Sequence, residues 1–288
     1  MRSIMSDIIS LTFGFLYVCV FSKRWTIFRV YSKIVPDKRS GKMNEVKILA
    51  EQANSIRNFE CDFKQELKPS ALLGFFQEIA ADHAEELGFG DSVLRKEGMF
   101  WVLSKIYAEV TRKPVCGENI TVKTWPHAPN KAIFERSFEV IDEKGERAIS
   151  AFSRWCILNA SGRIVPASRI PCKADKFIDE RAADAEDFFV PFDKAAKEPS
   201  FSIKIANSEY DLNYHVNNIK YADYIFNCFS VNELKERALK SFQIHYVKQS
   251  HEGDVLEFYR EEVAPGVFAV EGVKNGEETV ITAGVRFD

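Results

Sequence analysis

The sequence predicts an α+β fold in which one unit, a long helix packed on an antiparallel sheet, occurs twice in tandem. Three observations lead there. An apolar stripe, formed by Leu72, Leu73, Phe75, Phe76, Ile79, Ala80, His83 and Leu87, is followed by segments that alternate or are rich in β-branched and aromatic residues. The same order returns after residue 200, where Ile219, Tyr221, Ala222, Tyr224, Ile225, Phe226 and Phe229 recur at roughly helical spacing before a second run of strands. Ungapped correspondences tie the copies together: Gly117-Glu118 matches Gly253-Asp254, and Gly145-Glu146 matches Gly276-Glu277 within equivalent hairpins.

In chain order, the first copy opens at 59–67 and its helix ends near Gly88. Strands are predicted at 100–111, 119–125, 133–141 and 147–159, the last two joined by the turn Asp142-Glu143-Lys144-Gly145. The second copy gives strands at 239–248, 254–261, 267–273 and 279–287, with a turn at Lys274-Asn275-Gly276. A long amphipathic helix beside a meander of strands has to bury its stripe on the sheet. This is the helix-in-sheet unit called a hotdog, and the expectation is a tandem (double) hotdog. The boundaries read as an N-terminal hotdog over 43–172, a solvated linker rich in Asp, Glu, Lys and Ala over 173–200, and a C-terminal hotdog over 201–288.

Composition narrows the function classes. The 288 residues are 46% hydrophobic and 28% charged, an ordinary globular balance, and a net charge of -3 argues against a nucleic-acid-binding surface. The six cysteines (19, 61, 116, 156, 172, 228) form no C-x-x-C pair, which favours reduced thiols in a cytoplasmic-type compartment over a disulfide framework or zinc site. No cofactor or metal is implied. Residues 1–42 stand apart: 8–22 is an uncharged apolar run, shorter than the roughly 20 residues of a spanning helix, followed by Lys23, Arg24, Arg29 and Lys33. A short, tilted membrane anchor with the catalytic part on the cytoplasmic side, and a true start at Met43, both stay open.

Candidate chemistry concentrates at 211–221. Asp211, Asn213, His215 and Asn217, side chains able to polarise a carbonyl or move a proton, fall just before the second helical run. They should form the turn that enters the helix, with Asn217 or Asn218 as N-cap, where free amides and a partial positive charge face whatever docks. A capped surface turn carrying one His is the competing reading. In the first copy Asp62, Lys64 and Glu66 fall opposite Asp211, Asn213 and His215, so it keeps the carboxylate but lacks the amide and the imidazole, and only the second copy can be catalytic. The wide apolar face of the first copy, with Leu72, Phe75, Phe76 and Ile79 opposite Phe100, Trp101 and Leu103, is a candidate lining for something greasy.

The stretch Asp211-x-Asn213-x-His215-Val216-Asn217-Asn218-x-Lys220-Tyr221 closely resembles the active-site motif of acyl-ACP thioesterases, which release fatty acids from acyl carrier protein. Trp101-Val102-Leu103, the 117–125 segment, Arg154-Trp155, Asn159 and Arg169-Ile170-Pro171 also look like family landmarks, so the resemblance covers nearly all of 43–288. It implies a double hotdog, an acyl-chain pocket in the N-terminal half, and hydrolysis of fatty acyl-[acyl carrier protein] as the activity. The family also carries a Glu-Cys pair after the catalytic helix. Alignment on Gly253-Asp254 puts Gln249 and Ser250 there, so the nucleophilic Cys is gone and Gln249 cannot act as a base.

Water attack is the simplest chemistry left. Asn213 and helix-start amides would polarise the carbonyl, His215 would take the proton, Asp211 would support the imidazolium, and Gln249 with Ser250 would position the water. Asp211 as the base itself stays open. The expected partner is acyl carrier protein bearing a fatty acyl chain, met by some of Arg112, Lys113, Lys131, Arg136 and Lys248; a homodimer and membrane association through 8–22 are further expectations. His83, as a helix-boundary residue, His127 and His251 in turns, and His245 in a strand are weaker candidates for catalysis. Rival functions are an acyl-CoA thioesterase, a hotdog dehydratase, which lacks its H-x-x-x-G-type signature here, and a non-hydrolytic acyl-chain binder.

Overall fold

The computed structural model describes residues 47–174, 176–184, 189–195 and 197–288. The extension at 1–42 and its apolar run at 8–22 lie outside the described residues. Among those described, no helix is long and apolar enough to cross a membrane.

The first copy contains β1 (Ala50–Ser55), α1 (Pro69–Leu87), α2 (Asp91–Leu94), β2 (Met99–Val110), β3 (Asn119–Pro126), β4 (Phe134–Asp142) and β5 (Arg147–Asn159). The second contains β6 (Phe201–Lys204), α3 (Asn218–Phe226), α4 (Val231–Lys235), β7 (Leu239–Tyr246), β8 (Val255–Ala264), β9 (Val267–Lys274) and β10 (Glu278–Phe287). All strand pairs are antiparallel, and they form one ten-stranded sheet in the order β1-β3-β4-β5-β2-β7-β10-β9-β8-β6. The copies therefore share a single sheet and not two successive ones, joined where β2 pairs with β7 from Lys105–His245 to Glu109–Ser241.

Local chemistry sets the helices. Pro69 opens α1 at a position where its missing N–H costs nothing, and Gly88 closes it in the left-handed region (φ 85°), with its amide on the carbonyls of Ala84 and Glu85. The stripe of α1 buries Leu72, Leu73, Phe76 and Ile79 on the sheet, where Phe76 stacks on Phe138 with ring centroids 4.5 Å apart. The second helix is shorter than its apolar run implies. It ends at Phe226, and Phe229 reaches the core from the turn before α4, which Ser230 and Glu233 cap reciprocally. One apolar core runs beneath both helices, from Ile120 and Phe138 in the first copy to Phe258 and Val270 in the second.

Two strands escape the sequence reading, and both are sheet edges. β1 reads AEQANS, a mostly polar segment, and β6 reads FSIK, which alternates over only four residues; both are the outermost strands of the sheet. The predicted opening at 59–67 is instead a 3₁₀ turn followed by an irregular loop. The linker also needs correction: its 176–184 segment packs back on the first copy. Trp125 Nε1 donates to the Glu180 carbonyl (2.9 Å), His127 Nδ1 to that of Ile178 (2.9 Å), and Ser137 Oγ accepts from the Ala182 amide (3.1 Å).

Candidate active site

The motif loop exists twice, in nearly the same conformation. A bridge joins Tyr210 to Val216, as one joins Cys61 to Leu67; the Asp211 amide donates to the His215 carbonyl (3.1 Å) as that of Asp62 does to Glu66 (2.8 Å). Asp211 Oδ1 accepts from the Asn213 amide (2.7 Å) where Asp62 Oδ1 accepts from Lys64 (2.8 Å), and Tyr214 (φ 61°) matches Gln65 (φ 60°) in the left-handed region. Each loop hangs on the turn before its edge-ward strand, Val216 on the Ser250 carbonyl (3.1 Å) and Leu67 on that of Pro114 (2.8 Å). The strained residue thus belongs to the duplicated turn and not to catalysis. The carboxylate at the loop start is likewise retained in both copies because it holds the turn.

What differs is the content. Superposing the hydrogen bonds puts Lys113 where the second copy has Gln249, and Lys113 Nζ ties Asp62 (2.7 Å) to Glu66 (3.1 Å). In the second copy the same positions hold Asp211, His215 and Gln249, with no cation among them. His215 Nδ1 lies 3.1 Å from the Val216 carbonyl and 3.8 Å from Asp211 Oδ1, and both side chains are half-buried. Both oxygens only accept, so Nδ1 carries the proton and the lone pair sits on Nε2. Asn217 caps α3 by accepting from the Ile219 amide (3.0 Å), and the Tyr246 hydroxyl donates to the Asn218 carbonyl (3.1 Å), which fixes the helix start beside the imidazole.

These residues border a cleft of about 1030 Å³. Asp211, Asn213, His215, Asn218 and Gln249 line one end; Phe100, Trp101, Leu103, Phe134 and Trp155 line the sheet wall; Ala80, Ala81 and Ala84 of α1 face them with small side chains. Cys172, at the end of the first copy, and Phe177, in the linker, line the same wall. The first copy has a polar plug at the corresponding place: Lys64 Nζ donates to the carbonyls of Leu234 (3.2 Å), in the last turn of α4, and Arg237 (3.0 Å), just beyond it. The pseudo-equivalent contact in the second copy is Arg95, after α2, donating through Nη2 to Asn213 Oδ1. Sequence reasoning missed Arg95, because nothing in its local context marks it.

The model of the acyl-ACP thioesterase N-terminal domain matches residues 49–171, and that of the C-terminal domain matches residues 193–283. The chain belongs to the acyl-ACP thioesterase family. It is 27% identical over 256 residues to a chloroplastic acyl-[acyl-carrier-protein] hydrolase of Cuphea viscosissima, covering 82% of this chain and 60% of that one. An acyl-ACP thioesterase from Bacteroides thetaiotaomicron superposes with a TM-score of 0.70 at 28% identity, over 83% of this chain and 98% of the other. The 12:0-ACP thioesterase of Umbellularia californica shares the fold, with a TM-score of 0.72 at 21% identity over 84% and 98% of the two chains. The chain thus spans about 60% of the length of the Cuphea relative.

Within this family member the predicted site residues divide. Asp211, Asn213, His215 and Gln249 come together on the cleft, whereas Ser250 does not: it is 0% exposed, and its Oγ accepts from the Tyr221 hydroxyl (2.9 Å), whose pKa burial pushes up to about 12. Ser250 therefore stands off the cleft, with its hydroxyl buried against that of Tyr221. Phe100, Trp101 and Leu103 line the cleft. Leu72, Phe75, Phe76 and Ile79 do not; they pack in or against the core on the sheet side of α1, and the cleft takes a neighbouring face of that helix.

The basic candidates for a partner surface are mostly committed. Arg112 pairs with Glu118 and Asp142, Lys113 with Asp62 and Glu66, and Lys248 with Glu278, while Arg136 is buried. His83 is no boundary residue but fully buried, its Nε2 on the Lys47 carbonyl (2.9 Å).

Proposed function

We propose that the chain hydrolyses the thioester of fatty acyl-[acyl carrier protein], releasing the free fatty acid and ending elongation. The observation that carries this reading is the pairing of a polar loop, Asp211, Asn213 and His215, with the open end of an apolar cleft, while the same loop in the first copy is closed by Lys113. The N-terminal half (43–172) holds the acyl chain and the C-terminal half (201–288) supplies the reacting groups. Acyl carrier protein is the partner, and the described thiols, Cys61, Cys116, Cys156, Cys172 and Cys228, all free, fit a cytoplasmic-type compartment.

The thioester carbonyl enters between Asn213 and the start of α3. The Asn213 side-chain NH₂ and the Asn218 backbone amide stabilise the charge that develops on the carbonyl oxygen, a contribution of about 3–4 kcal/mol for one such donor. His215 Nε2 takes a proton from water as the water oxygen bonds to the carbonyl carbon. The tetrahedral intermediate then expels the thiol sulfur, which recovers that proton from His215 as the C–S bond breaks. Asp211, 3.8 Å from Nδ1, stabilises the imidazolium while it lasts. Gln249, exposed at the cleft end, gives the water a hydrogen bond.

The test is hydrolysis of matched acyl-ACP and acyl-CoA by the purified chain. Preferential turnover of acyl-ACP supports the reading; preferential turnover of acyl-CoA changes the leaving group, and tight acyl binding without turnover of either makes the chain a binder.

A further inference from the structure

The first copy brings an amide of its own to the reacting end of the cleft. α1 passes α3 at Gly74, where an added Cβ would lie 3.9 Å from Ile219 Cδ1. Gln77 is three residues further along α1, on the same side of the helix, and so stands beside the start of α3. It lines the cleft, and also a small pocket that it shares with Asn218, Ile219 and Tyr246. The rest of that pocket is apolar or aromatic, Leu73, Leu103 and Trp155 among it. Gln77 is half-buried, and among the described residues its side-chain amide has no hydrogen-bond partner. Two polar neighbours are already engaged: the Tyr246 hydroxyl donates to the Asn218 carbonyl (3.1 Å), and Trp155 Nε1 donates to Ser153 Oγ (2.8 Å). An amide without a partner beside apolar side chains costs stability, and a leucine would pack there as well.

The internal repeat ties this amide to the chemistry and not to the fold. Leu67 corresponds to Val216, and Pro69 to Asn218 as the first residues of the two helices, so Gln77 corresponds to Phe226. Phe226 packs against the apolar core, its ring edge-on to Phe242 and tilted against Phe229. The helix start that follows His215 thus faces an amide, whereas the one that follows Glu66 has a phenyl ring at the matching place. At the start of α3 the Asn218 N–H has no intrahelical acceptor. A carbonyl oxygen drawn to it comes up beside Gln77, whose NH₂ is a donor and suits charge developing on that oxygen.

We propose that Gln77 donates its side-chain NH₂ to the thioester carbonyl oxygen as charge develops there, so that the reacting centre is completed across the two copies. This rests on reading the cleft as an acyl-thioester site. Gln77 is then a catalytic residue supplied by the N-terminal half, and neither half alone carries the full set of oxyanion donors.

The experiment compares wild type with Gln77→Leu and Gln77→Met, both close in size and unable to donate. Steady-state kinetics on one acyl-ACP should show kcat lowered about 10²-fold with KM within about twofold, since the bond strengthens only in the transition state. Without turnover, displacement of a fluorescent fatty acid is measured with an alkyl trifluoromethyl ketone, whose hydrate carries the tetrahedral oxygens, and with the matching methyl ketone. Both variants should lose about tenfold or more of the preference for the fluorinated ketone. The unfolding temperature should stay or rise, because a partnerless amide has left an apolar wall. An unchanged kcat in either folded variant overturns the proposal, and so does a raised KM at unchanged kcat. A lowered unfolding temperature in both variants assigns Gln77 to the fold and overturns it as well. If the variants lose the ketone preference of the wild type, yet no acyl-ACP is hydrolysed, the donor stands and the proposed reaction falls.

Discussion

Arg95 donates through Nη2 to Asn213 Oδ1, joining a segment of the first copy to the motif loop of the second. A guanidinium only donates, so the contact fixes which end of the Asn213 amide is which and turns its NH₂ away from Arg95. Asp91 holds the same guanidinium through Nε. The structure thus supplies, from outside the motif, the group that orients the proposed oxyanion donor.

Arg95→Ala should lower kcat about tenfold or more with little change in KM, since it loosens a donor needed in the transition state and not in substrate binding. Arg95→Lys, which still donates, should recover part of the loss. Steady-state kinetics on one acyl-ACP checks this; a raised KM at unchanged kcat would assign Arg95 to binding instead.

Ser250→Ala should keep most of the activity, because the hydroxyl faces the core. Its cost is structural: the buried Tyr221 hydroxyl loses its acceptor, worth about 1–3 kcal/mol in stability. Denaturant unfolding and mass spectrometry during turnover check both halves. An acyl adduct on Ser250 would overturn the water mechanism.

Stability should fall in mild acid through His83. Its folded pKa, about 4, lies below the ordinary 6.5, so the unfolded state binds a proton that the folded state does not. The contribution is full above pH ~6.5 and is lost as pH drops toward about 4. His127, also lowered by burial, acts in the same direction. His83→Gln should flatten the slope of unfolding free energy between those pH values; an unchanged slope contradicts the assignment.

Strands whose apolar side chains alternate, such as β3 and β4, were legible in the sequence because burial imposes the period. β1 and β6 were not, because an edge strand is held by backbone hydrogen bonds that any side chain permits. At the site, the Asp211, Asn213 and His215 grouping was visible as local density, whereas Arg95 and Gln77 were invisible, since their places come from a contact with Asn213, far along the chain, and from the passage of α1 against α3. Leu72, Phe76 and Ile79 show the converse error: a helix stripe gives what is buried, not which of its two sides meets a cavity. Ser250 was misplaced for a related reason: it lies in the connection between β7 and β8, where alignment on Gly253 does not give whether a side chain points in or out.

The most direct measurement is the rate of free-thiol release from acyl-ACP by wild type and His215→Ala, with thermal unfolding recorded on both. His215 as the base predicts a loss of about 10²-fold or more in kcat at unchanged unfolding temperature. Near-normal turnover by a folded His215→Ala protein would contradict the account and shift the search for the base to Asp211.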